Sequence, residues 1–246
     1  MFLTILRMCA GTAVVGVTAM VQVLICLVLL PSRTARIRSC IVFQRATGGL
    51  CLWLCGSTLT VTGKEHLDKN RPAIYVVNHT SMVDLFIALK LMPLGSVGIV
   101  KKEVIYYPFF GQLYLLTGHL RVDRSRNDKA VASMKELGEL VRKARLSIFM
   151  SPEGTRSRDG RLLPFKKGPA HMAMQTGLPV VPVVVHGAYR AWQRGKFAIR
   201  ATNIKVQVFP AIDTSAWTPE KSEEATRQIR QVFLDHLADD QLPLAP

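Results

Sequence analysis

The chain has 246 residues, 49% of them hydrophobic, and a formal net charge of +15 at pH 7. This length fits one globular domain with a targeting segment but excludes two large domains joined by a linker. A basic and strongly apolar chain suits anionic lipid or an acidic carrier as a partner. Because the sequence has no zinc-ligand spacing, no aromatic-studded basic strand and no basic low-complexity tail, we expect no nucleic-acid partner.

The cysteines of the chain all lie in its apolar N-terminal part, at Cys9, Cys26, Cys40, Cys51 and Cys55. Residues 56–246 therefore contain no thiol, which excludes a cysteine nucleophile and a thiolate metal site there. The odd number of cysteines and their apolar neighbours indicate small buried side chains in a reducing compartment rather than a disulfide framework.

Two apolar stretches near the N-terminus predict a two-segment membrane helical motif. The first, residues 8–30, is uncharged and long enough to span a bilayer as a helix. A cleaved signal peptide is the alternative, but its apolar core usually has only about 7 to 15 residues. The second stretch, residues 46–63, follows an arginine cluster at residues 33–45. We expect it to lie in the membrane interface or to re-enter the same leaflet. If the arginine cluster is cytoplasmic, a full crossing would put the basic part of the chain beyond residue 63 outside the cytoplasm.

Beyond residue 63, short β-rich segments alternate with helical ones. Strands are predicted at residues 72–77, 96–100, 146–150, 178–185 and 203–209. Helices are predicted at residues 85–91, 129–145, 168–177 and 219–238. This alternation predicts an α/β fold with a single mixed or mostly parallel sheet flanked by helices. We therefore divide the chain into N-terminal membrane-anchoring helices at residues 1–63 and one globular domain at residues 64–246.

The polar segment after the first predicted strand contains His79 and Asp84. His79 leaves the end of the strand, and Asp84 lies in the first turns of the next helix, where the helix dipole favours a carboxylate. A carboxylate on one ring nitrogen fixes the tautomer and leaves the other nitrogen to accept a proton. The same spacing also occurs in purely structural capping pairs, so the spacing leaves both interpretations open.

A second polar segment, residues 151–160, again follows an apolar strand directly. It combines glycines with Arg156 and Arg158, and Lys166 and Lys167 come shortly after it. Backbone N–H groups and guanidinium groups in such a loop suit a phosphate. The alternative is a solvated turn, which gives no reason for an apolar strand to lead into it.

Four segments of the chain together resemble the sequence blocks of a known family. They are Asn78-His79 with Asp84, the stretch from Lys101 to Arg124, Pro152 to Ser157, and Leu178 to Val183. In this order they resemble the glycerolipid acyltransferase family, most closely its 1-acyl-sn-glycerol-3-phosphate acyltransferases. The chain departs from the family pattern at Val104, where leucine is usual, and at Ser151, where an aromatic residue is frequent. Neither position has an expected chemical role.

The resemblance implies a glycerol-3-phosphate acyltransferase-like fold and a reaction. An acyl group would pass from acyl-CoA or acyl-carrier protein to the sn-2 hydroxyl of lysophosphatidic acid, giving phosphatidic acid in phospholipid synthesis. His79 would be the general base and Asp84 the carboxylate that orients it. Because a thiolate leaves without full protonation, the reaction needs neither a metal nor a cofactor.

The resemblance also implies which residues bind substrate. Three cations are implied for the acceptor phosphate: Lys101, Arg124 and Arg156. Three loop residues are implied to shape or cap the site: Glu153, Gly154 and Thr155.

Two other interpretations stay open. An acyltransferase with another acceptor, such as glycerol-3-phosphate, lyso-ornithine lipid or another lysophospholipid, would carry the same blocks. A non-catalytic membrane lipid-binding protein would share the fold, although it has no need of an oriented base. Because thioester donors are made in the cytosol, we expect the globular domain at the cytoplasmic face of a bacterial-type inner membrane, with membrane lipid and the lysophospholipid acceptor as partners.

Overall fold

A computed structural model of the chain describes residues 2–68, 71–93, 95–106, 110–122, 127–196 and 198–244. Its helices are α1 (Phe2–Val28), α2 (Arg33–Leu54), α3 (Val83–Leu91), α4 (Phe110–Thr117), α5 (Asn127–Ala144), α6 (Gly168–Thr176), α7 (Ala188–Ala191) and α8 (Ser222–His236). Its strands are β1 (Thr58–Thr62), β2 (Ile74–Val77), β3 (Ser96–Lys101), β4 (Leu120–Val122), β5 (Ser147–Met150), β6 (Val180–His186) and β7 (Asn203–Val208). Short 3₁₀ turns occupy Lys64–His66, Lys102–Tyr106 and Pro219–Lys221.

Within the described residues the strands form a sheet with the order β1-β7-β6-β2-β5-β3-β4. Neighbouring strands are parallel except β6 and β7, which are antiparallel. The central strand β2 pairs with β5 and β6 in register, Ile74 being opposite both Ile148 and Val180. The predicted fold class, a single mixed and mostly parallel sheet flanked by helices, is therefore confirmed.

Both faces of the sheet are covered. Helices α5, α6 and α8 pack on one face and α3 and α7 on the other. Helix α2 contributes Ile37 to the first core cluster and Leu52 to the second. The residues of β2 are buried on both sides, which explains why this strand is a continuous apolar run without alternation. Burying one such Val or Ile side chain contributes about 1.5 to 3 kcal/mol to stability. The buried strand β2 therefore fixes the position of the residues that follow its C-terminal end.

Helix α1 contains the predicted membrane segment. Residues Thr4–Val28 have a mean hydropathy of 2.2, and by length and composition this stretch is able to cross a membrane. Its second half carries exposed apolar side chains: Val17, Met20, Leu24, Leu27 and Val28. Opposite that surface, α1 packs on α2, where the Gln22 side chain donates to Ser39 Oγ at 2.8 Å. Cys26, Cys40, Cys51 and Cys55 are buried around these two helices, and Cys9 is exposed.

The predicted second apolar segment, residues 46–63, is two different elements. Its first half completes α2, which begins at Arg33 within the arginine cluster, because Arg and Gln are good helix formers and do not interrupt a helix. Gly56, with φ of 67°, ends this helical part, and the alternating Thr58–Thr62 segment forms β1. The sheet thus begins before the predicted boundary at residue 63.

Helix α2 is bound to the globular part of the chain. At Gly48 a Cβ atom would come within 2.6 Å of the Phe86 carbonyl oxygen, so glycine permits the close approach of α2 to α3. The arginine cluster makes further bonds: Arg33 Nε donates to Gly118 O at 2.9 Å, Arg38 to Ala144 O at 3.0 Å and Arg45 to Met92 O at 3.3 Å. These arginines are therefore attachments to the sheet domain.

Candidate active site

The two polar segments that the sequence singles out meet at the carboxyl end of the sheet. β2 leads into His79 and β5 leads into the loop that begins at Ser151. β2 and β5 are parallel neighbours, so their ends lie side by side, at the edge where open α/β sheets place their ligand sites.

His79 and Asp84 form the hydrogen bond that their spacing predicts. Asp84 Oδ2 lies 2.9 Å from His79 Nδ1 and also accepts the backbone N–H groups of Thr80 and Ser81, both at 2.7 Å. The Asp84 side chain is 4% exposed and that of His79 31%. Since a carboxylate oxygen only accepts, Nδ1 carries the proton, and Nε2 keeps a lone pair for a substrate proton.

The start of α3 is fixed by Ser81. Its Oγ accepts from Val83 N at 3.1 Å and donates to the Trp192 carbonyl oxygen at 2.8 Å. Asp84 therefore sits in the first turn of an anchored helix, where the dipole favours its charge.

The His79 peptide is held on both sides by the second polar segment. Glu153 Oε1 accepts from His79 N at 2.6 Å, and Ser157 N donates to His79 O at 2.9 Å. Glu153 Oε2 accepts from Leu163 N at 3.0 Å. The loop thus sets the position of the strand end that carries the imidazole.

Glu153 is a buried carboxyl group, with 2% of the residue exposed. Burial raises its pKa to about 8, and the bonds from His79 N and Leu163 N oppose that rise because they favour the ionised form. Glu153 therefore takes up a proton more readily than an exposed glutamate does.

Asn78 is a site residue for which the sequence predicts no individual role. Its amide makes a two-way pair with β6: Nδ2 donates to Val185 O at 2.9 Å, and Val185 N donates to Oδ1 at 2.8 Å. The side chain is buried and continues the ladder between β2 and β6 after the strand proper has ended. Only its position beside His79 marks it in the sequence, since its partner is 107 residues away.

The loop places two of the other predicted residues, Thr155 and Arg156, at a depression of about 430 Å³. Its lining comprises Thr155, Arg156, Arg158, Asp159, Leu163 and Arg194. Gly154 turns the loop with a φ of 70°, a conformation that glycine adopts without strain. Arg194, for which the sequence predicts no role, donates from Nη1 to the Arg156 carbonyl oxygen at 2.9 Å.

The structure describes less of the other two predicted cations, Lys101 and Arg124. Lys101 is the last residue of β3, which is paired with β5, so its backbone reaches the same edge of the sheet. The side chain of Lys101 lies outside what the structure describes. Arg124 lies outside the described residues altogether.

An oriented imidazole beside a cationic loop, on a mixed sheet, is an arrangement that suits an acyltransferase. The acyltransferase family model matches residues 58–186, from the first residue of β1 to the last of β6. A 1-acyl-sn-glycerol-3-phosphate acyltransferase from Limnanthes douglasii is 44% identical over 94% of this chain and 82% of its own length. A protein of the same name from Cocos nucifera is 43% identical over 98% of this chain and 78% of its own length.

Among solved structures, the fold resembles that of the 1-acyl-sn-glycerophosphate acyltransferase from Thermotoga maritima. The TM-score is 0.79 at 24% identity, covering 94% of this chain and 92% of that one. The chain belongs to the acyltransferase family, among its 1-acyl-sn-glycerol-3-phosphate acyltransferases.

Proposed function

We propose that the protein transfers a fatty acyl group from a thioester donor to the sn-2 hydroxyl of lysophosphatidic acid, giving phosphatidic acid. The observation that carries the proposal is the 2.9 Å bond between His79 Nδ1 and Asp84, which leaves Nε2 of a partly exposed side chain to act as the base. The names of the relatives from Limnanthes and Cocos support this choice of acceptor.

In the proposed reaction His79 Nε2 takes the proton of the acceptor hydroxyl as its oxygen attacks the thioester carbonyl carbon. A C–O bond forms, the C–S bond breaks and the thiolate leaves with the electron pair. Asp84 keeps the imidazole in the required tautomer and stabilises its charged form. A positioned general base contributes about 10² to 10⁴-fold, and positioning of the two substrates supplies much of the rest.

The acceptor phosphate is proposed to bind at the loop after β5. Arg156 and Arg158 line the depression there, and guanidinium groups match the geometry of phosphate oxygens. Thr155, Gly154 and Glu153 shape the loop. Lys101 and Arg124 remain proposed contributors from the second sequence block.

Acyl-CoA and acyl-carrier protein are both proposed donors. The net charge of +15 attracts either the CoA phosphates or an acidic carrier. A donor of either kind arrives from the cytosol, so we place the site at the cytoplasmic face of a bacterial-type inner membrane.

Helices α1 and α2 are proposed as the membrane anchor, with residues 58 onward as the catalytic domain. α1 supplies a long apolar surface. Trp53 near the end of α2 is 72% exposed, and tryptophan favours the membrane interface. Such an anchor would hold the site beside its lipid substrate.

A thiol-release assay that crosses acyl-CoA and acyl-carrier protein with several lyso-acceptors tests the proposal. We expect release with lysophosphatidate, and a kcat at least 100-fold lower for His79→Ala, whose membrane association should be unchanged. His171→Ala removes an exposed histidine on α6 and should match wild type.

Retention of a tenth or more of wild-type turnover by His79→Ala would refute the base assignment. Turnover with glycerol-3-phosphate, lyso-ornithine lipid or another lysophospholipid but not with lysophosphatidate would replace the proposed acceptor. Lipid binding without any thiol release would instead favour a non-catalytic protein.

A further inference from the structure

Arg194 lies in the turn that follows α7 and contacts the cationic loop directly. Its Nη1 nitrogen donates to the Arg156 carbonyl oxygen at 2.9 Å and to Thr155 Oγ1 at 3.4 Å. Arg194 lies outside the four sequence blocks and outside the matched residues 58–186. Neither the blocks nor the family match therefore assigns it a role.

The position of Arg194 is set by the same segment that anchors α3. The Trp192 carbonyl oxygen accepts from Ser81 Oγ at 2.8 Å, and Trp192 Nε1 donates to Lys196 O at 3.1 Å. The turn is thus bonded on one side to Ser81, just before α3, and on the other side to the Arg156 peptide. It connects the proposed base to the proposed phosphate site.

The surroundings of Arg194 favour an anion. The depression of about 430 Å³ is lined by three arginines, Arg156, Arg158 and Arg194. Its one carboxylate, Asp159, accepts from Ser157 Oγ at 2.8 Å and from Arg161 N at 3.1 Å. Both bonds go to Oδ1 and compensate part of the Asp159 charge within its own turn. Three arginines against one carboxylate leave the lining with an excess of positive charge.

Both bonds of Arg194 to the loop use a single nitrogen. A guanidinium group carries five N–H donors in a planar fork, which suits two oxygens of one phosphate. Arg194 is able to hold the Arg156 backbone and to face an anion at the same time.

We propose that Arg194 completes the site for the phosphate monoester of the acceptor, by fixing the Arg156 peptide and by adding its own charge. This inference rests on the proposed function. Arg194 is a positioning residue for Arg156 and a specificity residue for the monoester dianion.

The test uses the full-length protein and a short-chain lysophosphatidate kept below its critical micelle concentration, so that KM reflects the site and not partition into lipid. We expect Arg194→Ala to raise the acceptor KM about tenfold, the loss of one charge-assisted hydrogen bond, with kcat within threefold and donor KM within twofold of wild type. Arg156→Ala should raise the acceptor KM at least as strongly.

Two conservative variants separate the two contributions. Arg194→Lys keeps the charge without the fork, and Arg194→Gln keeps a donor for the Arg156 carbonyl oxygen without the charge. Each of these two variants should have an acceptor KM between that of wild type and that of Arg194→Ala. Arg200→Ala removes an exposed arginine six residues further along the chain and should leave the acceptor KM unchanged.

An acceptor KM within twofold of wild type in Arg194→Ala would overturn the inference, as would a fall in kcat with no change in KM. Wild-type turnover with lysophosphatidate is measured in the same assay. Its absence would contradict the proposed function and the inference together, whereas wild-type turnover with an unaffected Arg194→Ala variant would contradict the inference alone.

Discussion

Glu153 is a carboxyl group that the protein keeps buried while using both of its oxygens as acceptors for backbone N–H groups. Burial raises its pKa from an ordinary value of 4.5 to about 8. The folded state therefore binds this proton more tightly than the unfolded state does. The resulting stabilisation is fully present below about pH 4.5 and is lost as the pH rises through about 8.

Replacement of Glu153 by Gln should flatten this pH dependence. At pH 5.5 we expect the variant to be less stable than wild type, because one amide oxygen cannot accept from both His79 N and Leu163 N, and an unsatisfied buried donor costs about 1 to 3 kcal/mol. The difference in Tm between the two proteins should narrow as the pH rises to 8.5. Thermal unfolding in detergent, followed by tryptophan fluorescence, measures the Tm of each protein at both pH values.

Glu139→Gln, at an exposed position on α5, provides the comparison for a simple loss of charge. A Tm difference between wild type and Glu153→Gln that stayed constant from pH 5.5 to 8.5 would show that Glu153 does not titrate in this range.

At the residue scale, the sequence predicts what is local. His79 and Asp84 are five residues apart, so the strand end and first helical turn bring them together. Asn78 meets Val185 across 107 residues, and Arg194 meets Arg156 across 38. These two contacts depend on strand order and on the path of the turn after α7, which no local pattern contains.

At the scale of the elements, the segment after α8 packs beside the candidate active site, a contact that the sequence does not predict. The Gln241 side chain is buried, donates to Val185 O at 3.2 Å and accepts from Gly187 N at 3.4 Å. The backbone carbonyl oxygen of Gln241 accepts from Leu162 N at 2.8 Å. The C-terminal segment therefore joins the end of β6, where Asn78 is bound, to the loop that carries Glu153.

Gln241→Ala should destabilise the protein by about 1 to 2 kcal/mol, because it leaves the half-buried Gly187 N–H without its acceptor. It should also lower kcat several-fold, since the end of β6 holds Asn78 next to His79. Chemical denaturation and the thiol-release assay give the two quantities. Gln231→Ala, on the exposed side of α8, is the control and should change neither stability nor kcat. A Gln241→Ala variant with the stability and kcat of wild type would show that the C-terminal segment does not support the site.

The predicted elements that the structure confirms are those with a strong period or a continuous apolar run. Helix α5 follows its amphipathic pattern, and β2, β5 and β6 follow their buried runs. The prediction was wrong at residues 58–62, because an apolar stretch next to a membrane segment has the same composition whether it enters lipid or a sheet. Strand β4 has three residues, which is too short for any period to show.

For the whole molecule, the arginines of α2 support the proposed membrane topology. Arg33, Arg38 and Arg45 bond to residues of the sheet domain. A basic segment after a single apolar helix favours the cytoplasmic side. In the proposed topology the arginines and the catalytic domain are on that side together, and α1 alone needs to enter the bilayer deeply.

Protease added to right-side-out spheroplasts should accordingly leave residues 65–246 intact, and the same protease should digest them after permeabilisation with detergent. Immunodetection of a C-terminal tag distinguishes the two results. Digestion of residues 65–246 in sealed spheroplasts would rule out this topology.

The confinement of the cysteines to residues 9–55, four of them buried, has a practical and a chemical consequence. Each proposed turnover liberates a free thiol beside His79, at a surface that has no sulfur with which to form a mixed disulfide. The released carrier therefore cannot become covalently trapped in the catalytic domain under oxidising stress. For the same reason, a coloured thiol reagent can remain in the cuvette throughout the reaction without modifying residues 56–246.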